Sequence, residues 1–191
     1  MSRWAWKAPL YSFVRGLPLF KNILLAEKAS LALLLQYLKI PLTHHLDIGT
    51  GTGDSLSLFR AHERVVCLDA SLAMLRRLPH HPKLLAHAEA LPFADATFDF
   101  VSAIGVLEYV RDESRFFAEA QRVLKPRGFF LFTSAPRTPA NYLRTLWGER
   151  LYLRNEREVR AALLPEYWPV IAHGRTFLQE QWLMEKCLVN E

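Results

Sequence analysis

Residues 46–53 read Leu46-Asp47-Ile48-Gly49-Thr50-Gly51-Thr52-Gly53, an acid followed by three glycines at every second position. Glycine enters left-handed backbone without steric cost and lets the main chain approach a ligand closely. Residues 44–48 read as a short buried strand before this run, and 55–61 as an apolar-periodic helix after it, with Asp54 placed as the cap. A glycine loop between strand and helix presents backbone N–H groups to a nucleotide-like ligand. The alternative is a purely structural tight turn, the ordinary reading of an isolated glycine triplet. Here the flanking elements favour the ligand.

From residue 44 onward, strand and helix patterns alternate. Strands are expected at 44–48, 64–68, 83–87, 98–104 and 129–134, and helices at 55–61, 72–78 and 112–124. Asp112 reads as an N-cap, and Lys125-Pro126-Arg127-Gly128 as a stop signal. Strands joined through helix-length segments imply crossovers and a parallel sheet covered on both faces. Further on, 136–155 reads as a partly helical insertion and 156–164 as a helix closed by Pro165. Residues 168–174 and 180–189 read as an antiparallel pair at the sheet edge. One domain over 1–191 is expected: a helical extension at 1–43, a core at 44–134, and the insertion with the C-terminal strands at 135–191.

The net charge of +5 is concentrated in that extension, where Arg3, Lys7, Arg15, Lys21, Lys28 and Lys39 oppose Glu27 alone. Trp4, Trp6, Tyr11, Phe13 and Phe20 accompany them. Such a segment fits a helix packing its apolar face on the domain; peripheral membrane contact is the other reading. Lys21, Asn22, Glu27, Lys28, Gln36 and Lys39 interrupt the apolar run 17–40, too often for a spanning helix. No secretory pattern opens the chain, and Cys67 and Cys187 lie in apolar runs as small core residues, so a cytoplasmic, reducing location is expected. The adjacent pairs His44-His45 and His80-His81 lack further ligands at metal-binding spacing, and no metal site is expected.

The glycines stand in Gly-x-Gly-x-Gly register, one residue tighter than the dinucleotide fingerprint Gly-x-Gly-x-x-Gly. After the second strand comes Cys67-Leu68-Asp69-Ala70-Ser71, where a carboxylate at the strand tip can accept both hydroxyls of a ribose. Then follow Ala88-Glu89-Ala90-Leu91-Pro92-Phe93, Phe98-Asp99-Phe100-Val101 and Arg122-Val123-Leu124-Lys125-Pro126-Arg127-Gly128. With these five motifs in order, the chain resembles the class I S-adenosylmethionine-dependent methyltransferases, in the broad group that includes the ubiquinone and menaquinone methyltransferases.

The resemblance implies an α/β fold: a Rossmann-like, doubly wound, mostly parallel seven-stranded sheet with an antiparallel edge strand and an N-terminal helical extension. It also implies S-adenosylmethionine as cofactor. Asp47 and the loop Gly49, Thr50, Gly51 and Gly53 would hold its methionine end. Asp69 would take the ribose hydroxyls, with Ala70 and Ser71 beside the adenine. His87 and Ala88, with Glu89 next to them, stand where relatives carry an Asp-Ala pair that reads the adenine edge; His87 replaces the acid, and a neutral imidazole can still accept that bond. Ile104 opens the segment 104–110 beside the transfer centre. Glu108 and Tyr109 stand where relatives often show a His or an acid, so a general base is expected there, with cap or packing roles as the alternative. Tyr11 resembles an N-terminal tyrosine that closes over the cofactor, which makes 1–43 a lid and 135–191 the acceptor side.

A small apolar or aromatic acceptor is the leading expectation. RNA or protein methylation is an alternative, resting on the basic extension and on Arg144, Arg150, Arg154, Arg157 and Arg160. Their interleaving with Glu149, Glu156 and Glu158 favours a solvated, salt-paired face and argues against nucleic acid. A catalytically silent cofactor-binding partner subunit is the third reading, and a nicotinamide dehydrogenase a remote fourth. Trp147, Tyr152, Tyr167 and Trp168 are candidates for core packing or for an acceptor pocket. The oligomeric state is left open.

Overall fold

Phe129-Phe130-Leu131-Phe132 is an unbroken apolar run, the signature of a strand buried on both faces. It forms the middle of β5 (Leu124–Ser134), with the parallel strand β4 (Phe98–Ala103) on one side and the antiparallel β7 (Glu180–Glu185) on the other. The computed structural model describes residues 18–38, 43–59, 64–78, 80–145, 151–163 and 168–187. Within them the chain runs α1 (Pro18–Leu35), β1 (His44–Ile48), β2 (Arg64–Asp69), α2 (Leu72–Leu75), β3 (Lys83–Leu85), β4, α3 (Glu113–Val123), β5, α4 (Pro139–Thr145), α5 (Glu156–Ala162), β6 (Val170–Arg175) and β7. Short 3₁₀ turns occupy Leu56–Leu58 and Leu107–Tyr109.

The seven strands follow the order β3-β2-β1-β4-β5-β7-β6. Strands β1 to β5 are parallel, so the ends of β1, β2, β3, β4 and β5 open on one edge of the sheet. The order reverses between β1 and β4, where an open α/β sheet leaves a crevice for a ligand. The strand running against the rest, β7, lies one in from the edge; β6 is the edge strand.

Alternating side chains build two cores. On one face Leu46, Ile48, Val101, Phe130, Phe132, Trp182 and Met184 pack against Phe116, Phe117, Ala120 and Val123 of α3 and Val159 of α5. On the other, Phe100, Leu131 and Leu183 receive Leu31 and Leu34 of α1. Gln181 Nε2 donates to the Glu27 carbonyl at 3.1 Å, and a Cβ on Gly174 would lie 3.2 Å from Leu34 Cδ1, so α1 sits close on the sheet. The packing reading therefore holds over 18–35, with Leu25 and Leu33 on the outer side. No helix among the described residues is long and apolar enough to cross a membrane.

Three expected elements differ. The helix at 55–61 is a single 3₁₀ turn, Leu56–Leu58, and Asp54 does not cap it; Asp54 accepts from Thr52 Oγ1 instead. Phe59 turns extended and stacks edge-on to His45 at 4.3 Å, a tertiary contact that outweighs helix propagation. The helix at 72–78 closes after one turn. Residues 125–128, expected to break the chain between helix and strand, belong to β5 as an irregularity: Leu124 pairs with Phe98, and pairing resumes at Phe129 with Phe100. Arg127 has φ +62°, and a Cβ on Gly128 would meet Leu124 Cδ2 at 2.8 Å.

Several motif residues are structural. Asp112 caps α3 by accepting from Arg115 N–H. Asp99 receives Lys125 Nζ at 2.7 Å, Thr43 Oγ1 at 2.6 Å and His44 N–H at 3.0 Å; burial raises its pKa, but these donors prevail and hold it at about 2. Arg122 donates to the Leu91 and Phe93 carbonyls at 2.8 and 2.7 Å and pairs with Glu119 and Asp95, while Glu119 accepts from Leu91 N–H. This cluster fastens the loop after β3 to α3. Arg122→Met strands two carbonyls and two carboxylates, at a cost of about 2 kcal/mol in partly exposed surroundings. Chemical denaturation should show that loss, and amide exchange at Leu91 should accelerate more than exchange in β4.

Candidate active site

The carboxyl end of β1 turns through three left-handed glycines, Gly49 at φ +66°, Gly51 at +59° and Gly53 at +85°. Two of them are also packed tightly. A Cβ on Gly49 would lie 2.4 Å from Val106 Cγ2, and one on Gly53 would lie 2.5 Å from Leu78 Cδ1. Gly51 differs: nothing but the Gly49 carbonyl, at 4.0 Å, would meet its Cβ. That open side is where backbone can approach a ligand. With no helix of length behind it, the loop itself supplies the N–H groups, which corrects the helix-terminus reading.

Asp69, at the tip of β2, binds the loop directly. Its Oδ2 accepts from Gly51 N–H at 2.9 Å and its Oδ1 from Ser71 N–H at 2.7 Å. Burial raises its pKa against the lowering effect of these two bonds. Thr50 Oγ1 donates to the Asp47 carbonyl at 2.8 Å, closing the turn from its other side. Asp47 is buried at the end of β1; its Oδ1 accepts from Ser102 Oγ, and its Oδ2 is buried without a hydrogen-bond partner. Burial pushes the Asp47 pKa up to about 6, opposed by the hydroxyls of Ser102, Thr50 and Ser55 and reinforced by the negative charge of Asp69. A buried carboxylate oxygen left unpaired is costly unless a donor arrives. The donor set fits a ligand carrying a cation near Asp47 and hydroxyls near Asp69.

The loop after β3 places His87 in the open and Ala88 and Glu89 half-buried, with the His87 carbonyl accepting from Ala90 N–H at 3.1 Å. Beyond β4, Ile104 is half-buried, and Gly105 N–H donates to Thr133 Oγ1 at 2.8 Å, which ties this turn to β5. Glu108 lies in the next 3₁₀ turn, buried, and pairs through Oε1 with Arg144 Nη2 at 3.0 Å; its Oε2 has no hydrogen-bond partner. Tyr109 beside it is half-buried. Arg144 also donates to Asn141 Oδ1, and Asn141 Nδ2 donates to the Pro136 and Leu178 carbonyls, both at 2.9 Å. Thus the turns after β4 and β5 and the β6–β7 turn form one connected wall. Tyr11, Trp147, Arg150 and Tyr167 lie outside the described residues.

The arginine run is solvated only in part: Arg157 and Arg160 are exposed as expected, and Arg154 is not. Arg154 is buried; it donates to the Leu107 and Val110 carbonyls at 2.7 and 2.9 Å and pairs with Glu113 rather than with its sequence neighbours. Arg160 does pair with Glu156, four residues away. Trp168 is a core residue, 5.5 Å from the Phe130 ring. Ser102, His45 and Thr133 were not expected at the site. The first two carried a signal: a polar residue near the end of an apolar strand, and a histidine two positions before Asp47, hence on the same face. Among the described residues no cluster of His, Cys, Asp and Glu could hold a metal.

Because the Asp47 pKa lies above the ordinary 3.8, its ionisation opposes folding, and the penalty accrues as pH rises from about 4 to about 6. Asp47→Asn should therefore stabilise the unliganded protein by about 3 kcal/mol at pH 8. The gain should vanish near pH 4, as read by denaturant titrations at the two pH values.

Residues 46–132 match the family described as "Methyltransferase domain". Over 123 residues the chain is 32% identical to a malonyl-[acyl-carrier protein] O-methyltransferase of Legionella pneumophila, which covers 59% of this chain and 43% of the relative. It is 36% identical over 117 residues to a demethylmenaquinone methyltransferase of Renibacterium salmoninarum, covering 59% of this chain and 49% of that one. The chain thus spans less than half the length of either relative. The crystal structure of a magnesium protoporphyrin IX methyltransferase from Synechocystis PCC 6803, with bound S-adenosylhomocysteine, superposes with a TM-score of 0.71 at 17% identity, over 92% of each chain, which is a likeness of fold. The matched stretch coincides with the glycine loop, Asp69 and the strands that carry them, and the core of this chain is similar to a methyltransferase domain.

Proposed function

We propose that this protein transfers a methyl group from S-adenosylmethionine to a small, apolar or aromatic metabolite. The observation that supports this most is the paired arrangement at the crevice between β1 and β4. Asp47 offers an unpaired buried oxygen, and Asp69 offers a carboxylate already held by Gly51 and Ser71 N–H. When bound, the cofactor supplies an activated methyl group on a sulfonium. Asp47 would hold its ammonium end, the backbone from Gly49 to Gly53 would hold its methionine portion, and Asp69 would accept from the ribose hydroxyls. Ala70, Ser71, His87, Ala88 and Glu89 would border the adenine, and Ile104 the reacting end.

Transfer from such a donor needs alignment and exclusion of water more than proton abstraction. The wall formed by Glu108, Arg144, Asn141 and the β6–β7 turn is placed to supply alignment, and Tyr142, Leu143 and Phe177 add exposed apolar surface beside it. In this reading Glu108 holds the acceptor through Oε2, or takes its proton where the acceptor must lose one. The RNA reading weakens, because Arg144 and Arg154 spend their guanidinium groups on internal partners. The relatives' acceptors, a malonyl thioester carrier and a demethylmenaquinone, differ widely in shape, and a shared fold does not choose between them.

Calorimetry with S-adenosylmethionine and S-adenosylhomocysteine tests the cofactor assignment, and micromolar binding is expected. No heat from either at high micromolar concentration overturns it. Asp69→Ala should weaken binding by about tenfold to a hundredfold, as expected for a lost acceptor of two hydroxyl bonds. A screen of metabolite extracts for homocysteine release and a mass gain of one methylene then tests turnover.

A further inference from the structure

The pleat of β1 points His45 and Asp47 to the same face, and β4 sets Phe100 and Ser102 directly opposite them. His45, Asp47 and Ser102 are all buried. The Ser102 hydroxyl joins the other two, 2.7 Å from His45 Nε2 and donating to Asp47 Oδ1. Phe59 at 4.3 Å and Phe100 at 4.7 Å enclose the imidazole and bring no charge to it.

A serine hydroxyl carries one hydrogen. When Ser102 gives that hydrogen to an ionised Asp47, the contact with His45 is a hydrogen bond only if Nε2 carries a proton and donates. When Asp47 is protonated, the proton sits on Oδ1, since the buried Oδ2 has no hydrogen-bond partner. It then donates to Ser102 Oγ, Ser102 donates to Nε2, and the imidazole proton moves to Nδ1. The chain therefore has two directions. His45 stays neutral in both, in keeping with the pKa of about 3 that burial imposes on it; only its tautomer changes.

We propose that His45 is a positioning residue of the cofactor site, donating from Nε2 through Ser102 to keep Asp47 ionised with Oδ2 ready for a cationic group. This rests on the assignment of Asp47 to the ammonium end of the cofactor. Capture by the protonated form reverses the chain: Asp47 Oδ1 passes its proton to Ser102 Oγ, Ser102 passes its own to His45 Nε2, and His45 Nδ1 gives up one proton to solvent. Around Asp47 the other titratable neighbours are Asp69 on β2, whose charge favours the protonated form, and Cys67, opposite in register. The Cys67 thiol is raised to about 11 by burial and stays neutral, with Lys83 acting on it in the other direction. The hydroxyls of Thr50 and Ser55 favour the ionised form. Asp47 is thus poised between its two states near pH 6, and the direction of the chain decides which one the site presents.

The test is nitrogen-15 histidine spectroscopy on the full chain, with the His45 signals identified by their loss in His45→Gln. In the free protein at pH 5 the tautomer should be Nδ1–H, changing to Nε2–H as pH rises through about 6. Saturating S-adenosylhomocysteine at pH 5.5 should produce Nε2–H. His45→Val should weaken S-adenosylhomocysteine binding about tenfold, as for one lost buried hydrogen bond, and move the acid limb of affinity to higher pH; His45→Gln, whose amide can donate to Ser102, should recover most of both. Binding of the ligand by wild-type protein without any change of tautomer overturns the proposal, as does a folded His45→Val that binds normally. If His45→Val does not fold, the wild-type spectra decide alone. Failure of the wild-type protein to bind the ligand overturns the cofactor assignment and this proposal together.

Discussion

Left-handed backbone at Gly49, Gly51 and Gly53 is the constraint on which the rest of the site depends. An L-residue pays about 1–2 kcal/mol for such a conformation before any clash is counted. At Gly49 and Gly53 the clash is present as well, because Val106 and Leu78 fill the space a Cβ would take. Those two glycines let the turn after β4 and the end of the α2 region close on the loop. Only Gly51 keeps its side open, and its N–H is fastened by Asp69. Three glycines that look equivalent in sequence therefore divide into two that pack and one that faces the crevice.

Arginines hold the irregular parts of the chain in a way that sheet pairing cannot. Arg122 binds two carbonyls of the loop after β3, and Arg154 binds three carbonyls of the segments around the 3₁₀ turn and its own loop. Each is neutralised by a glutamate on α3, Glu119 or Glu113. The planar guanidinium suits this work because several carbonyls converge on one rigid fork of donors. The charge of these two arginines is thereby directed inward.

The strands were legible because apolar runs such as Phe129–Phe132 depend on burial alone. Asp69 and the glycine register were legible because their conformational demands are local. What escaped reading depends on partners distant in sequence. Nothing near residue 55 announces that Phe59 will leave a helix to stack on His45. Arg154 resembles its solvated neighbours until Glu113 and the Leu107 carbonyl are placed beside it. The Lys125–Gly128 stretch obeys stop-signal chemistry, yet β4 continues to pair across it. Ser102 acquires meaning only when the β1–β4 register sets it against Asp47.

Asn141 hydrogen-bonds the chain leaving β5 and the hairpin between β6 and β7 with a single amide group, while its carbonyl oxygen receives Arg144. The wall opposite the glycine loop is consequently one mechanical part, assembled entirely from residues after 104. A lineage can exchange that part, or tilt it by changing one amide, while the half of the sheet that carries Asp47 and Asp69 stays as it is. Change on one side and constancy on the other are then two outcomes of the same seam between β1 and β4.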